Sequence, residues 1–174
     1  MSRVGAIIEA RMSSSRLPGK VLMKINKRPV LDLLIERIKF VNEIDKIIVA
    51  TTTSKKDDIL EEYCNANNII CYRGSEENVM QRVLEAAKKN SIEIIVEITG
   101  DCPLIDPQII SQILNCYLNN DYDYVGNSNI RSYPDGMDVQ VFSTKVLEDS
   151  YENTKDKLDR EHVTLHIRRN NEYY

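Results

Sequence analysis

Glu9-Ala-Arg-Met-Ser-Ser-Ser-Arg-Leu-Pro-Gly-Lys20 is the stretch on which the reading of this chain turns. Directly before it, Val4-Gly-Ala-Ile-Ile8 is a short apolar run of the kind that forms a strand buried on both faces. Directly after it, residues 29–41 carry helical periodicity. The polar loop between them holds two arginines, a lysine, three consecutive serines and a Pro-Gly turn. Open α/β sheets place ligands at loops that leave the carboxyl ends of their strands. Cations and small hydroxyls on such a loop suit a polyphosphate. Arginine forks onto two phosphate oxygens, lysine supplies a point charge, and serines and free backbone N–H groups fill the gaps.

Two familiar phosphate loops are excluded. The stretch has no GxGxxG, and a P-loop requires a glycine five residues before Gly-Lys-Ser/Thr, whereas Lys20 is followed by Val21. A merely solvated basic loop is disfavoured by clustering. Residues 1–28 hold seven Lys/Arg against one acid, in a chain of net charge -4. With a sequence pI near 5.3, positive charge this local fits a small anionic ligand and not nucleic acid. The 174 residues fit one domain, read here as 1–174, with 42% hydrophobic and 29% charged residues as in a globular protein. No run is long and apolar enough for a membrane span, and no signal-peptide pattern opens the chain. Four cysteines without a CxxC pair read as free thiols in a reducing cytoplasm.

Strands and helices alternate, which predicts an α/β fold with a largely parallel sheet. Strands are expected at 46–50, 68–72 and 93–98, and in the regions 122–125 and 138–142. Helices are expected at 29–41, after a Ser54/Asp57 capping box with Ile59, Leu60, Tyr63 and Cys64 inward, at 76–89, after Asp106-Pro107, and at 157–169.

Glu97-Ile-Thr-Gly-Asp-Cys-Pro-Leu-Ile-Asp106 is the second informative stretch. Asp101 falls just past an apolar strand, where a carboxylate facing phosphate-binding cations suits Mg²⁺. Gly100 permits close backbone approach. The competing reading, a turn aspartate, fits Asp106 better because that residue already fills the capping role. Farther on, Asp138 opens an expected strand against its propensity. It either contacts sugar hydroxyls or a metal, or is a solvated strand-edge acid, and Gln140 shares its face. Thr51 ends a strand at the same sheet edge, either touching ribose or base or simply favouring β structure. His162 and His166 are spaced for one helical face, either as a zinc pair or as a solvated face, and the pattern is not HExxH.

The Ala-Arg-x-x-Ser-x-Arg-Leu-Pro-Gly-Lys pattern resembles the nucleotide-binding signature of the cytidylyltransferases that activate sugar acids. These are the acylneuraminate and 3-deoxy-manno-octulosonate enzymes and, nearest, their spore-coat-polysaccharide relatives. The resemblance implies a Rossmann-like nucleotide-diphospho-sugar transferase fold and transfer of CMP from CTP. Arg11, Ser13, Arg16 and Lys20 would bind phosphate, alongside Ala10, Thr51, Gly100 and Asp101 in the nucleotide site. The Gly-Asp-x-Pro pattern assigns Asp101 to Mg²⁺, with Asp138 standing in as second metal ligand. Asp138 and Gln140, with Glu161 and His162 of the Arg-Glu-His-Val segment, would face a small sugar-type acceptor. In the family a further segment normally follows, with a Val-Asp or Ile-Asp strand end, and nothing after Asn170 matches it. A non-catalytic nucleotide-binding module, or a transferase using another nucleotide or a polyol phosphate, are the competing readings. Oligomeric state is left open, a homodimer included.

Overall fold

The computed structural model describes residues 2–130, 132–170, 172 and 174. Apolar runs at the expected places build a six-stranded sheet in the order β5-β4-β1-β6-β8-β7. Four of its strands run parallel: β1 (Val4–Glu9), β4 (Lys46–Thr52), β5 (Ile70–Gly74) and β6 (Ile94–Thr99). The remaining strands are β7 (Tyr124–Gly126) and β8 (Gln140–Ser143). β8 runs antiparallel to β6, and β7 antiparallel to β8. A small hairpin, β2 (Lys24–Ile25) with β3 (Arg28–Pro29), lies outside this sheet.

Both faces of the sheet are covered, because β1, β4 and β6 are apolar on both sides. On one face, Ala6, Ile8, Val49 and Val96 pack with Leu31 and Leu34 of α1 (Val30–Ile38), Leu60 of α2 (Asp58–Ala66) and Ile110 of α4 (Pro107–Leu118). On the other, Ile7, Ile48, Ile95 and Phe142 meet Met80 and Val83 of α3 (Val79–Lys89) and Leu147 of α5 (Thr144–Asn153). This is the doubly wound α/β arrangement expected from the sequence.

The chain passes from β1 outward to β4 and β5, then returns to place β6 on the other side of β1. The strand order therefore reverses between β1 and β6, and a crevice opens outside their carboxyl ends.

Several expectations are corrected. Ser54 makes no capping hydrogen bond, and Ile59 is 53% exposed where the capping-box reading put it inward. Asp57 is instead fully buried, accepting hydrogen bonds from the Thr52 hydroxyl and from the Met12 N–H at 2.6 Å. The helix α5 was not anticipated, since its polar run 148–153 hides a narrow apolar stripe. Asp138 lies two residues ahead of β8 and does not open it.

The expected helix 157–169 is broken into α6 (Lys157–Glu161) and α7 (Leu165–Arg169). His162 adopts an extended conformation (φ -112, ψ 91), which turns Val163 into the core at 3% exposure. The two histidines therefore do not share a helical face. His166 Nδ1 lies 3.3 Å from buried Asp159, which also takes hydrogen bonds from Thr154 and Arg169.

Because Asp57 ties the loop after β1 to the end of β4, Asp57→Ala should lose about 1.5–3 kcal/mol of stability. In urea unfolding the midpoint falls while the slope is unchanged; an unaltered midpoint would show that these bonds add nothing.

Candidate active site

Two loops meet at the crevice. The first leaves β1, where Ala10 N–H still donates to Ala50 O at 3.3 Å, and then turns back on itself. Gly19 N–H donates to Met12 O at 2.9 Å, and Gly19 sits at φ 73, a left-handed conformation that glycine adopts at little cost. That closure swings Lys20 across the crevice. The second loop leaves β6, where Gly100 N–H donates to Glu9 O at 2.8 Å. A Cβ on Gly100 would lie 2.7 Å from that carbonyl, so only glycine lets the two chains approach so closely.

Across the gap, the Lys20 ammonium forms a salt bridge with Asp101. Burial opposes ionisation of Asp101. The hydrogen bond and charge of Lys20, the Thr99 hydroxyl and a backbone N–H outweigh it and hold the carboxyl below its usual range. A cavity of about 240 Å³ joins these parts. Arg11, Arg16 and Lys20 line it from the first loop, Gly100 and Asp101 from the second. Glu161 and His162 reach it from the end of α6, which Arg160 anchors by donating to the Tyr151 and Thr154 carbonyls at 2.9 and 2.6 Å.

Other expected site residues lie elsewhere. Ser13 donates to Glu76 at 3.0 Å, and it is Ser14 and Ser15 that border the cavity. Thr51 is fully buried and does not border it. The Gln140 amide is occupied internally: it donates to Glu97 at 2.6 Å and accepts from Tyr124 at 2.8 Å and from Thr164 at 2.5 Å. That network, and not an acceptor, is what the Gln140 side chain meets. Asp138 is exposed and does not line the cavity; its charge and that of Asp101 both act on the Cys102 thiol, which burial pushes up. Among the described residues no group of three or more His, Cys, Asp or Glu is gathered to hold a metal. Any cation here would depend on one or two carboxylates plus ligand oxygens, which is the coordination habit of Mg²⁺ on phosphates.

The family profile of the cytidylyltransferases matches residues 5–174. The chain belongs to the cytidylyltransferase family. It is therefore a nucleotidyltransferase. It is 41% identical over 168 residues to an uncharacterized protein of Methanocaldococcus jannaschii, covering 97% of this chain and 68% of that one. It is 32% identical over 178 residues to the spore coat polysaccharide biosynthesis protein SpsF of Bacillus subtilis, covering 97% and 71%. A cytidylyltransferase structure from Leptospira borgpetersenii superposes with a TM-score of 0.95 at 35% identity, covering 100% and 74%. A CMP:2-keto-3-deoxy-manno-octonic acid synthetase complexed with CTP shares the fold, at a TM-score of 0.74 and 18% identity over 99% and 86%.

This family member also carries site residues that the sequence reading passed over. Glu9 and Arg82 border the cavity. Arg82 is only 2% exposed, because α3 lies directly over β1 and buries the flank that a helical wheel reads as polar. Burial lowers its pKa, against the pull of the Glu9 charge. Glu97 is buried and does not border the cavity. Burial first, then the charge and hydrogen bond of Glu9, push its pKa well up, with Arg168 opposing. A carboxylate inside the apolar run 94–98 was the available signal.

An acid whose pKa is raised on folding binds more protons folded than unfolded. Stability therefore drops as pH climbs from the ordinary value of 4.5 toward the raised one. Glu97→Gln, which mimics the protonated acid, should stabilise the protein increasingly as pH rises above the ordinary glutamate value. Thermal unfolding across that range checks this; a difference independent of pH would contradict it.

Proposed function

We propose that this chain transfers CMP from CTP, with Mg²⁺, to a sugar acid or sugar phosphate and releases pyrophosphate, in surface polysaccharide or glycan biosynthesis. The observation that carries the reading is Lys20 and Asp101 facing each other across a cavity fed by neighbouring strand ends. The names of the spore-coat relative and of the CTP-bound structure support the donor and the class of product.

Phosphoryl-type transfer demands positioning and charge neutralisation more than covalent work by the protein. Arg11, Arg16 and Lys20 would hold the β- and γ-phosphates, neutralising charge that grows on departing pyrophosphate. Ser14 and Ser15 would supply hydroxyl donors beside them. Asp101, with Asp138, whose charge also reaches Cys102, would hold Mg²⁺; when bound, the ion neutralises phosphate charge and polarises the phosphate oxygens. Lys20 would exchange its resting partner Asp101 for a phosphate. An acceptor oxygen then attacks the α-phosphorus in line from the side of Glu161 and His162.

Calorimetry with CTP and Mg²⁺ tests this. Wild type should bind, and Lys20→Ala should bind about tenfold to a hundredfold more weakly, the range of a lost hydrogen bond to a charged group. No heat with the wild type, or equal affinity in the variant, would overturn the assignment.

A further inference from the structure

Glu9 and Glu97 stand on adjacent strands, with their side chains on the same face of the sheet and in hydrogen-bond contact. Glu9 opens onto the cavity and Glu97 does not. Glu97, 6% exposed, accepts from the Gln140 amide at 2.6 Å, and the Gln140 carbonyl is held by Tyr124 and Thr164. Glu9 Oε1 is sealed from water and has no N–H donor or hydroxyl donor among the described residues. Burial, then the charge and hydrogen bond of Glu9, disfavour ionisation of Glu97, and its protonated carboxyl is the donor that completes Glu9.

The cavity itself supplies an independent sign of a ligand at this spot. Arg82 borders it, is 2% exposed, and leaves its Nε without a partner, although Nη1 donates to Ser75 O at 2.5 Å. A buried guanidinium beside an acid pair keeps the Glu9 carboxylate from repelling an anionic ligand. From the first loop, Arg11 faces the same space. Behind Glu97 lie Tyr124 from β7 and Arg168 from α7. Lys20, Asp101, Glu161 and His162 line the same cavity.

We infer that Glu9 is the proton acceptor for a hydroxyl acceptor substrate, with Glu97 as the positioning residue that holds it. This rests on the CMP-transfer reading above. The acceptor oxygen forms its bond to the α-phosphorus as the bond from that phosphorus to pyrophosphate breaks. The hydroxyl proton passes to the Glu9 carboxylate, and pyrophosphate leaves with the electron pair. A phosphate acceptor is already ionised and needs no such group, so the pair marks the acceptor as a hydroxyl, such as the anomeric hydroxyl of a sugar acid.

The test measures pyrophosphate release from CTP and Mg²⁺ against pH, with 3-deoxy-manno-octulosonate and N-acetylneuraminate as hydroxyl probes, beside CTP affinity by calorimetry. In the wild type, kcat should fall on the acid side, as expected for any carboxylate base. Glu9→Gln should bind CTP normally yet lose about 10²–10⁴-fold in kcat together with that acid limb. Glu9→Asp, which keeps the charge but draws it back, should retain the limb at a reduced rate. Glu97→Gln should keep most of the rate, because its amide still donates to Glu9, whereas Glu97→Leu should not. An unchanged rate and limb in Glu9→Gln would overturn the inference while the nucleotide reading stands. So would bound CTP with no pyrophosphate released to either hydroxyl probe. Absence of CTP binding by the wild type would overturn the CMP-transfer reading, and the inference with it.

Discussion

The hydrogen bond from Gly100 N–H to Glu9 O fixes how closely the two functional loops approach, and the site follows from that distance. It extends the β1–β6 ladder by one step beyond the paired residues Glu9 and Thr99. Here the strand order reverses, and the loops leaving β1 and β6 border one crevice at the carboxyl edge of the sheet. One loop delivers cations, the other a carboxylate. Neither would face the other if β6 had been laid beside β5. The glycine is required because any side chain would strike the Glu9 carbonyl.

Charge in this crevice is arranged as provisional pairs. Lys20 and Asp101 neutralise each other at rest, with side chains still 24% and 36% exposed, so a ligand can reach and separate them. An exposed pair of this kind contributes little to stability, which leaves it free to serve binding. Deeper in, desolvation dominates. Arg82 and Glu97 are both nearly sealed from water, and both have their charged forms disfavoured by burial. Glu9 and Arg82 border the cavity and Glu97 does not, so these two are where the buried network meets the open site. A chain with net charge -4 thus concentrates guanidinium and ammonium groups where a polyanion would lie.

Much of this was readable in the sequence because local signals and tertiary packing agree. The strand Val4–Glu9, the Pro-Gly turn before Lys20 and the Gly-Asp pair after the fourth parallel strand each announce themselves by residue type. What was missed depended on contacts distant in sequence. The Ala-Arg-x-x-Ser-x-Arg pattern itself sets its serine at Ser14 and not at Ser13, and Glu76 draws Ser13 away from the cavity. Gln140 alternates with valines as a surface residue would, yet a buried carboxylate from another strand claims its amide. The continuous helix expected over 157–169 was broken by the need to seat Val163 and to gather cations around Asp159. Helical periodicity alone carries no trace of that competition.

The central claim, that Lys20 and Asp101 are resting partners which part to hold a metal-bound nucleotide, is tested most directly by the Mg²⁺ dependence of CTP affinity in Asp101→Asn. The variant should bind metal-free CTP at least as well as the wild type, since Lys20 is released, and should gain little when Mg²⁺ is added. Full retention of a Mg²⁺ enhancement in Asp101→Asn would contradict the account.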